Sequence, residues 1–164
     1  MKKANYLIIV NTNTPGGLEI GKSEVIEHHT APVHSGGLGL NRPRIDDLIL
    51  LEGELINIIP ESSPNEVDLW GISEGVDGLS GMAKYVAFVG GRTKDDSKEW
   101  DTRTKEQKET LEVYVQYHLL RNPDLVILGL NQVPALEGVE APNFNVAKWL
   151  EGMGVPEKNI YKSA

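Results

Sequence analysis

Apolar residues gather along this chain in short, uninterrupted runs separated by polar stretches rich in Gly and Pro, a pattern that predicts buried strands alternating with helices. The first run, Tyr6-Leu7-Ile8-Ile9-Val10, is continuous and rich in β-branched residues, which suits a central strand covered on both faces better than a half-exposed edge. It ends where Asn11-Thr12-Asn13-Thr14-Pro15-Gly16-Gly17 turns the chain. Between Gly21 and His29 the spacing predicts a short helix with Ser23 as N-cap and Val25 and Ile26 turned inward. Thr30 to Arg44 is too rich in Gly and Pro for regular structure.

Leu48 to Leu51 and Glu54 to Ile59 flank Glu52-Gly53 and read as a hairpin, with Gly53 supplying the positive φ of a tight turn and Pro60 closing the unit. Glu61 to Met82 is polar and without a sustained period, so a long irregular surface excursion is expected. A strand resumes over Lys84 to Val89 and leaves through Gly90-Gly91, where the backbone can turn sharply. After the loop Arg92 to Trp100, Thr104 and Gln107 stand at capping-box spacing with Glu106 in the first turn, and a helix begins there. Leu111, Val115, His118 and Leu119 mark its inner face, and Asn122-Pro123 stops it. Leu125 to Leu128 predicts a further strand. Asn145 then caps a helix with Val146, Trp149, Leu150 and Met153 toward the core and Gly154 as its stop. The expected fold class is α/β (α+β): a single domain over residues 1–164, with a mixed central sheet of about four to five strands flanked by helices.

Composition narrows what such a domain does. A chain of 164 residues is long enough to bury a core without disulfides, and with no Cys any site must be built from His, carboxylates or backbone oxygens. A formal charge of -8 repels phosphate, and the basic residues form no stripe with interleaved aromatics, so no nucleic acid partner is expected. The apolar run after Lys2-Lys3 is far shorter than a signal peptide core or a membrane span, so neither a signal peptide nor membrane insertion is expected.

The segment from Tyr85 to Leu111 carries the most specific pattern. Val89-Gly90-Gly91, then Asp101-Thr102-Arg103-Thr104, then Lys105-Glu106-Gln107, and later Ala141-Pro142-Asn143-Phe144-Asn145-Val146 with Trp149-Leu150, follow in one order. From about Tyr6 to Leu150 the chain resembles the zinc-dependent N-acetylmuramoyl-L-alanine amidases, the family of the amidase-type phage lysozymes and the peptidoglycan recognition proteins. The Asp-Thr-Arg-Thr form resembles amidases of Bacteroidetes and their phages. The resemblance implies a zinc held by two imidazoles and a third ligand, Cys or Asp, with an open position for water. At the matching positions this chain has Asn11, Leu130 and Ala141, and the catalytic Tyr of the family would fall near Ile45-Asp46.

The resemblance thus implies a catalytically inactive amidase-fold protein, without zinc, acting as a binding or structural module in a phage virion or another bacterial assembly. Its partners would be proteins of that assembly or peptidoglycan fragments, and its location the bacterial cytoplasm or the virion. The alternative is an active peptidoglycan amidase whose metal has moved to His28, His29 and His34.

The remaining candidates have simpler readings. His28 and His29 are expected to be solvated, because neighbours on a helix point about 100° apart and do not converge on one ion. His118 is expected to be a core or boundary residue. Asp46-Asp47 and Asp95-Asp96 read as solvated loop charges and not as a glycosidase pair. Gly36-Gly37-Leu38-Gly39 lacks the Lys and preceding strand of a phosphate loop and reads as a connection. Trp70 and Trp100, with Arg92, form a candidate binding surface in loops, unless each Trp folds back over the sheet's edge.

Overall fold

The computed structural model describes residues 2–40, 43–59, 66–67, 79, 82–136 and 138–162. Its centre is the apolar run predicted to be covered on both faces. Strand β1 (Tyr6–Asn11) lies between β4 (Ala83–Phe88) and β5 (Val126–Gly129), parallel to both, with Ile8 opposite Tyr85 on one side and Leu128 on the other. Strand β2 (Asp47–Ile49) pairs parallel with β4, and β3 (Leu55–Asn57) closes that edge antiparallel to β2. The five strands run in the order β3-β2-β4-β1-β5, a mixed sheet as expected.

Alternation along β1 feeds two separate cores, because successive side chains of a strand point to opposite faces. Leu7 and Ile9 enter one core with Val86, Phe88, Leu111, Val115 and Leu150. Those last three come from α2 (Lys105–Arg121) and α3 (Val146–Gly152), which cover this face. Ile8 and Val10 enter the other core with Leu48, Ala87, Leu128 and Val25, the last from α1 (Lys22–Thr30). Among the described residues no helix is long and apolar enough to cross a membrane.

Helix α2 starts as its sequence predicts. The Thr104 hydroxyl accepts from the Gln107 amide at 3.0 Å, and the Gln107 side chain accepts from the Thr104 amide at 2.9 Å. Gln107 is fully buried and reaches further, donating to the Val89 carbonyl at 2.9 Å, while Thr104 Oγ1 donates to the Leu51 carbonyl at 2.7 Å. One cap therefore pins the helix to the exits of β4 and β2. The hairpin turn is also as expected, with Gly53 at φ 90 and its amide donating to the Leu50 carbonyl at 2.9 Å.

Several expectations need correction. The first helix is capped at Gly21 and not at Ser23, because the Glu24 carboxylate reaches back to accept from the Gly21 amide at 3.0 Å. The hairpin strands are shorter than their apolar runs: Ile58 and Ile59 leave the ladder and both donate to the Asp46 carbonyl. Asp46 and Asp47 are buried and not solvated, since each finds polar partners inside the protein. His29 is likewise buried, while His28 stays exposed beside it. Most of the stretch Glu61 to Met82 lies outside the described residues, but Glu66–Val67 pairs antiparallel with Lys2–Lys3 and is not irregular. Trp149, by contrast, faces the α2 and α3 core as expected, half-buried against it.

Candidate functional site at the C-terminal edge of the sheet

Parallel strands deliver all their C-terminal ends to one edge, and the loops that follow them converge there. At this edge β1 ends in Asn11, β4 runs into Val89-Gly90-Gly91, and β5 ends in Gly129-Leu130. A short parallel ladder of Thr14–Pro15 with Gly91–Arg92 extends the edge outward.

Asn11 is held on every side. Its Nδ2 donates to Asn143 Oδ1 at 2.7 Å, and its Oδ1 accepts from the Asn13 amide at 3.0 Å. The flat of its carboxamide rests on Gly91, where a Cβ would stand 2.5 Å from the Asn11 side chain. Asn143 presents its oxygen from a left-handed backbone, φ 71, just after the cis peptide Ala141–Pro142. Ala141 is buried, and Leu130 packs half-buried against the α1-side core.

The motif residues around this point build structure. Arg103 grips Asp101 with two hydrogen bonds of 2.9 and 3.0 Å and lays its guanidinium over the Phe144 ring at 3.4 Å. Phe144 in turn meets Trp149 edge-on, with centroids 5.8 Å apart. Although burial works to raise the Asp101 pKa, the Arg103 guanidinium outweighs it and holds the carboxyl below the usual range.

Beneath Asn11 and Leu130 lies a cavity of about 150 Å³, which His29, Arg44, Tyr85 and Leu136 also line. The His29 Nδ1 accepts from the Arg44 amide at 2.8 Å. Burial first, then the nearby His28 and Arg44 charges, lower its pKa from 6.5 to about 4, so the imidazole is neutral at ordinary pH. Asp46 Oδ2 accepts from the Tyr85 amide at 2.8 Å, which fixes this carboxylate in the backbone of β4.

The donor set does not fit zinc. The Asn11 amide is engaged by Asn143 and Asn13, and Leu130 and Ala141 carry no lone pair. Among the described residues, no three or more His, Cys, Asp or Glu side chains are grouped to hold a metal ion. His28 and His29 stand with ring centroids 5.9 Å apart and tilted by 58°, His28 facing a shallow surface pocket with Glu24 and Glu27, and His34 is exposed on the turn Val33–Ser35.

Trp100 and Arg92 lie on the same edge. Trp100 is 57% exposed, its amide donates to the Gly91 carbonyl at 3.0 Å, and Lys98 lies over its ring at 4.7 Å. Trp100 therefore stands in solvent and is not folded back over the sheet. Arg92 is half-buried and clamps Asp96 through Nε at 2.5 Å and Nη2 at 3.0 Å. Trp70 lies outside the described residues. Sequence reasoning missed Asn143, Arg44 and Tyr85, whose only signal was proximity to better motifs.

No family model and no curated protein matches the chain. Among solved structures it is similar to bumblebee PGRP-SA, at TM-score 0.61 and 12% identity over 100% of this chain and 87% of that one. It is similar to the same degree to human PGRP-IβC in complex with a glycosamyl muramyl pentapeptide, at TM-score 0.61 and 13% identity over 99% and 88% of the two chains. Manduca sexta peptidoglycan recognition protein 1 gives TM-score 0.57 and 16% identity over 87% and 73%. The fold is that of the peptidoglycan recognition proteins. At these identities the likeness concerns architecture, and residue roles rest on the geometry above.

Proposed function

We propose that this chain is a catalytically inactive member of the amidase fold that binds peptidoglycan fragments at the C-terminal edge of its sheet. The observation that carries the reading is the Asn11 carboxamide, fixed by Asn143 and seated on Gly91 at the position where the resemblance calls for a zinc-ligating imidazole. A neutral amide there, already engaged by Asn143 and Asn13, has little to offer a metal that activates water and serves to shape the edge. The solvent-facing Trp100 supplies a flat apolar surface of the kind on which sugar rings stack. Support from the fold is that the human structure holds a muramyl pentapeptide.

The test combines three measurements on the purified chain: metal content, hydrolysis of cell-wall peptidoglycan with zinc added, and calorimetric titration with muramyl pentapeptide. The expected result is saturable binding without zinc and without release of the peptide. Stoichiometric zinc together with chelator-sensitive hydrolysis would overturn the reading, and so would the absence of any binding.

A further inference from the structure

Two charged residues are buried beneath α2, on the face of the sheet opposite the Asn11 cavity. Asp47 and Lys84 point toward α2 because they alternate with Leu48 and with Ala83 and Tyr85, which fill the α1-side core. Lys84 is only 2% exposed, and its Nζ lies 4.0 Å from Asp47 Oδ2. The same Asp47 oxygen accepts from the Tyr114 hydroxyl at 2.6 Å, and Oδ1 accepts from Asn57 Nδ2 at 2.8 Å. The His118 ring lies against that of Tyr114, with centroids 4.1 Å apart, and its Nδ1 is 2.9 Å from the Tyr114 carbonyl. Burial first, then the charge of Asp47, raises the Tyr114 pKa well above its usual value, so the phenol stays a neutral donor.

Burying an ion pair carries a desolvation penalty of several kcal/mol per ion, and apolar residues of similar volume stabilise a core as well or better. Stability alone therefore gives no reason for Asp47 and Lys84 at this depth. A reason appears above them. The cluster is the floor of a cavity of about 580 Å³ between the hairpin and α2, a size usual for small-molecule sites, which span roughly 300–1,000 Å³. Its walls are Leu55, Val113 and Tyr117, all exposed, so the mouth is apolar and the floor polar. That is the common pattern of a ligand pocket: an apolar lining with a few convergent polar groups.

We propose that this cavity is a second binding site, which takes an uncharged amphipathic small molecule. Its apolar body lies between Leu55, Val113 and Tyr117, and one neutral hydrogen-bonding head, an amide or hydroxyl, meets the polar floor. The preference for a neutral head follows from charge. Asp47 and Lys84 compensate each other, so an ionic head entering this low-dielectric space would leave one buried charge unbalanced. The site lies across the sheet from Asn11 and does not depend on the peptidoglycan reading.

The test is a fluorescence titration of the intact chain with the neutral dye N-phenyl-1-naphthylamine and, separately, with the anionic dye 8-anilinonaphthalene-1-sulfonate. The neutral dye is expected to bind saturably at one site and the anionic dye at least tenfold more weakly. Val113→Trp, at a helix position that is 63% exposed, fills the mouth and should weaken the neutral dye at least tenfold with an unchanged urea midpoint. Leu120→Trp, at a position of α2 that is 83% exposed and outside the cavity, should bind like the parent. Absence of saturable binding, equal affinity in Val113→Trp, or tighter binding of the anionic dye would overturn the proposal.

Discussion

Asn11 Nδ2 donates to Asn143 Oδ1 at 2.7 Å, tying the end of the central strand to the loop that leads into the last helix. Asn11→Ala removes this bond and leaves the Asn143 oxygen without it in a half-buried place, a loss of roughly 1–3 kcal/mol. Asn143→Gly removes the same bond but also relieves the left-handed backbone at φ 71, so its cost should be smaller. Urea unfolding of the two variants checks the order, and a cheaper Asn11→Ala would contradict it.

The contact between Asn11 and Gly91 makes a second, sharper prediction. Gly91 sits at φ 112, and a Cβ there would stand 2.5 Å from the Asn11 carboxamide. Gly91→Ala combines backbone strain with overpacking, together about 2–5 kcal/mol. Adding Asn11→Ala should recover the steric part and leave the backbone part. A double-mutant cycle showing simple additivity would mean that the two residues do not press on each other.

The Gln107 side chain holds two groups at once, the Thr104 amide and the Val89 carbonyl, which separates it from an ordinary capping residue. Replacement by Ala frees the Val89 carbonyl and breaks the reciprocal bond to Thr104, at a cost of roughly 2–4 kcal/mol. Thr104→Ala should cost about 1–2 kcal/mol. The double variant should fall short of the sum, because both act in one network. Thermal unfolding of the three variants measures this directly.

His29 predicts a pH dependence of stability. It is neutral in the fold down to about pH 4, whereas in the unfolded chain it takes up its proton near the ordinary 6.5. Between those values the unfolded chain binds more protons, so stability falls as pH drops through this window and is unaffected above it. The loss is complete below about pH 4. His29→Gln keeps an acceptor for the Arg44 amide and removes the titration, so its stability curve should be flatter between pH 7 and 4. Equal slopes for parent and variant would exclude His29 as the source.

What could be read from the sequence was whatever is decided locally. The cap of α2 depends on Thr104 and Gln107, three residues apart, and was legible for that reason. The central position of β1 was legible because a strand covered on both faces has no polar alternation. The buried Asp46 and Asp47 were not, because the groups that accept them into the interior, Tyr85, Asn57 and Tyr114, are brought there by other strands and by a helix. The same holds for His29, whose burial waits on Arg44, and for the engagement of Asn11 by Asn143. At the sheet edge, Asn11, Leu130 and Ala141 stand out in the sequence through the resemblance alone, and what holds Asn11 does not.

The place of β1 in the sheet bears on how the chain is made. The strand is synthesised well before both of its neighbours: Ile8 pairs with Tyr85 and with Leu128. At ribosomal rates of about 5–20 residues per second, the run Leu7-Ile8-Ile9-Val10 emerges and waits on the order of ten seconds for its second partner. During that interval an apolar ribbon with at least one open edge is a target for chaperones and for neighbouring nascent chains. Slowing translation ahead of Val126 should therefore lower the soluble yield without touching the stability of the finished protein.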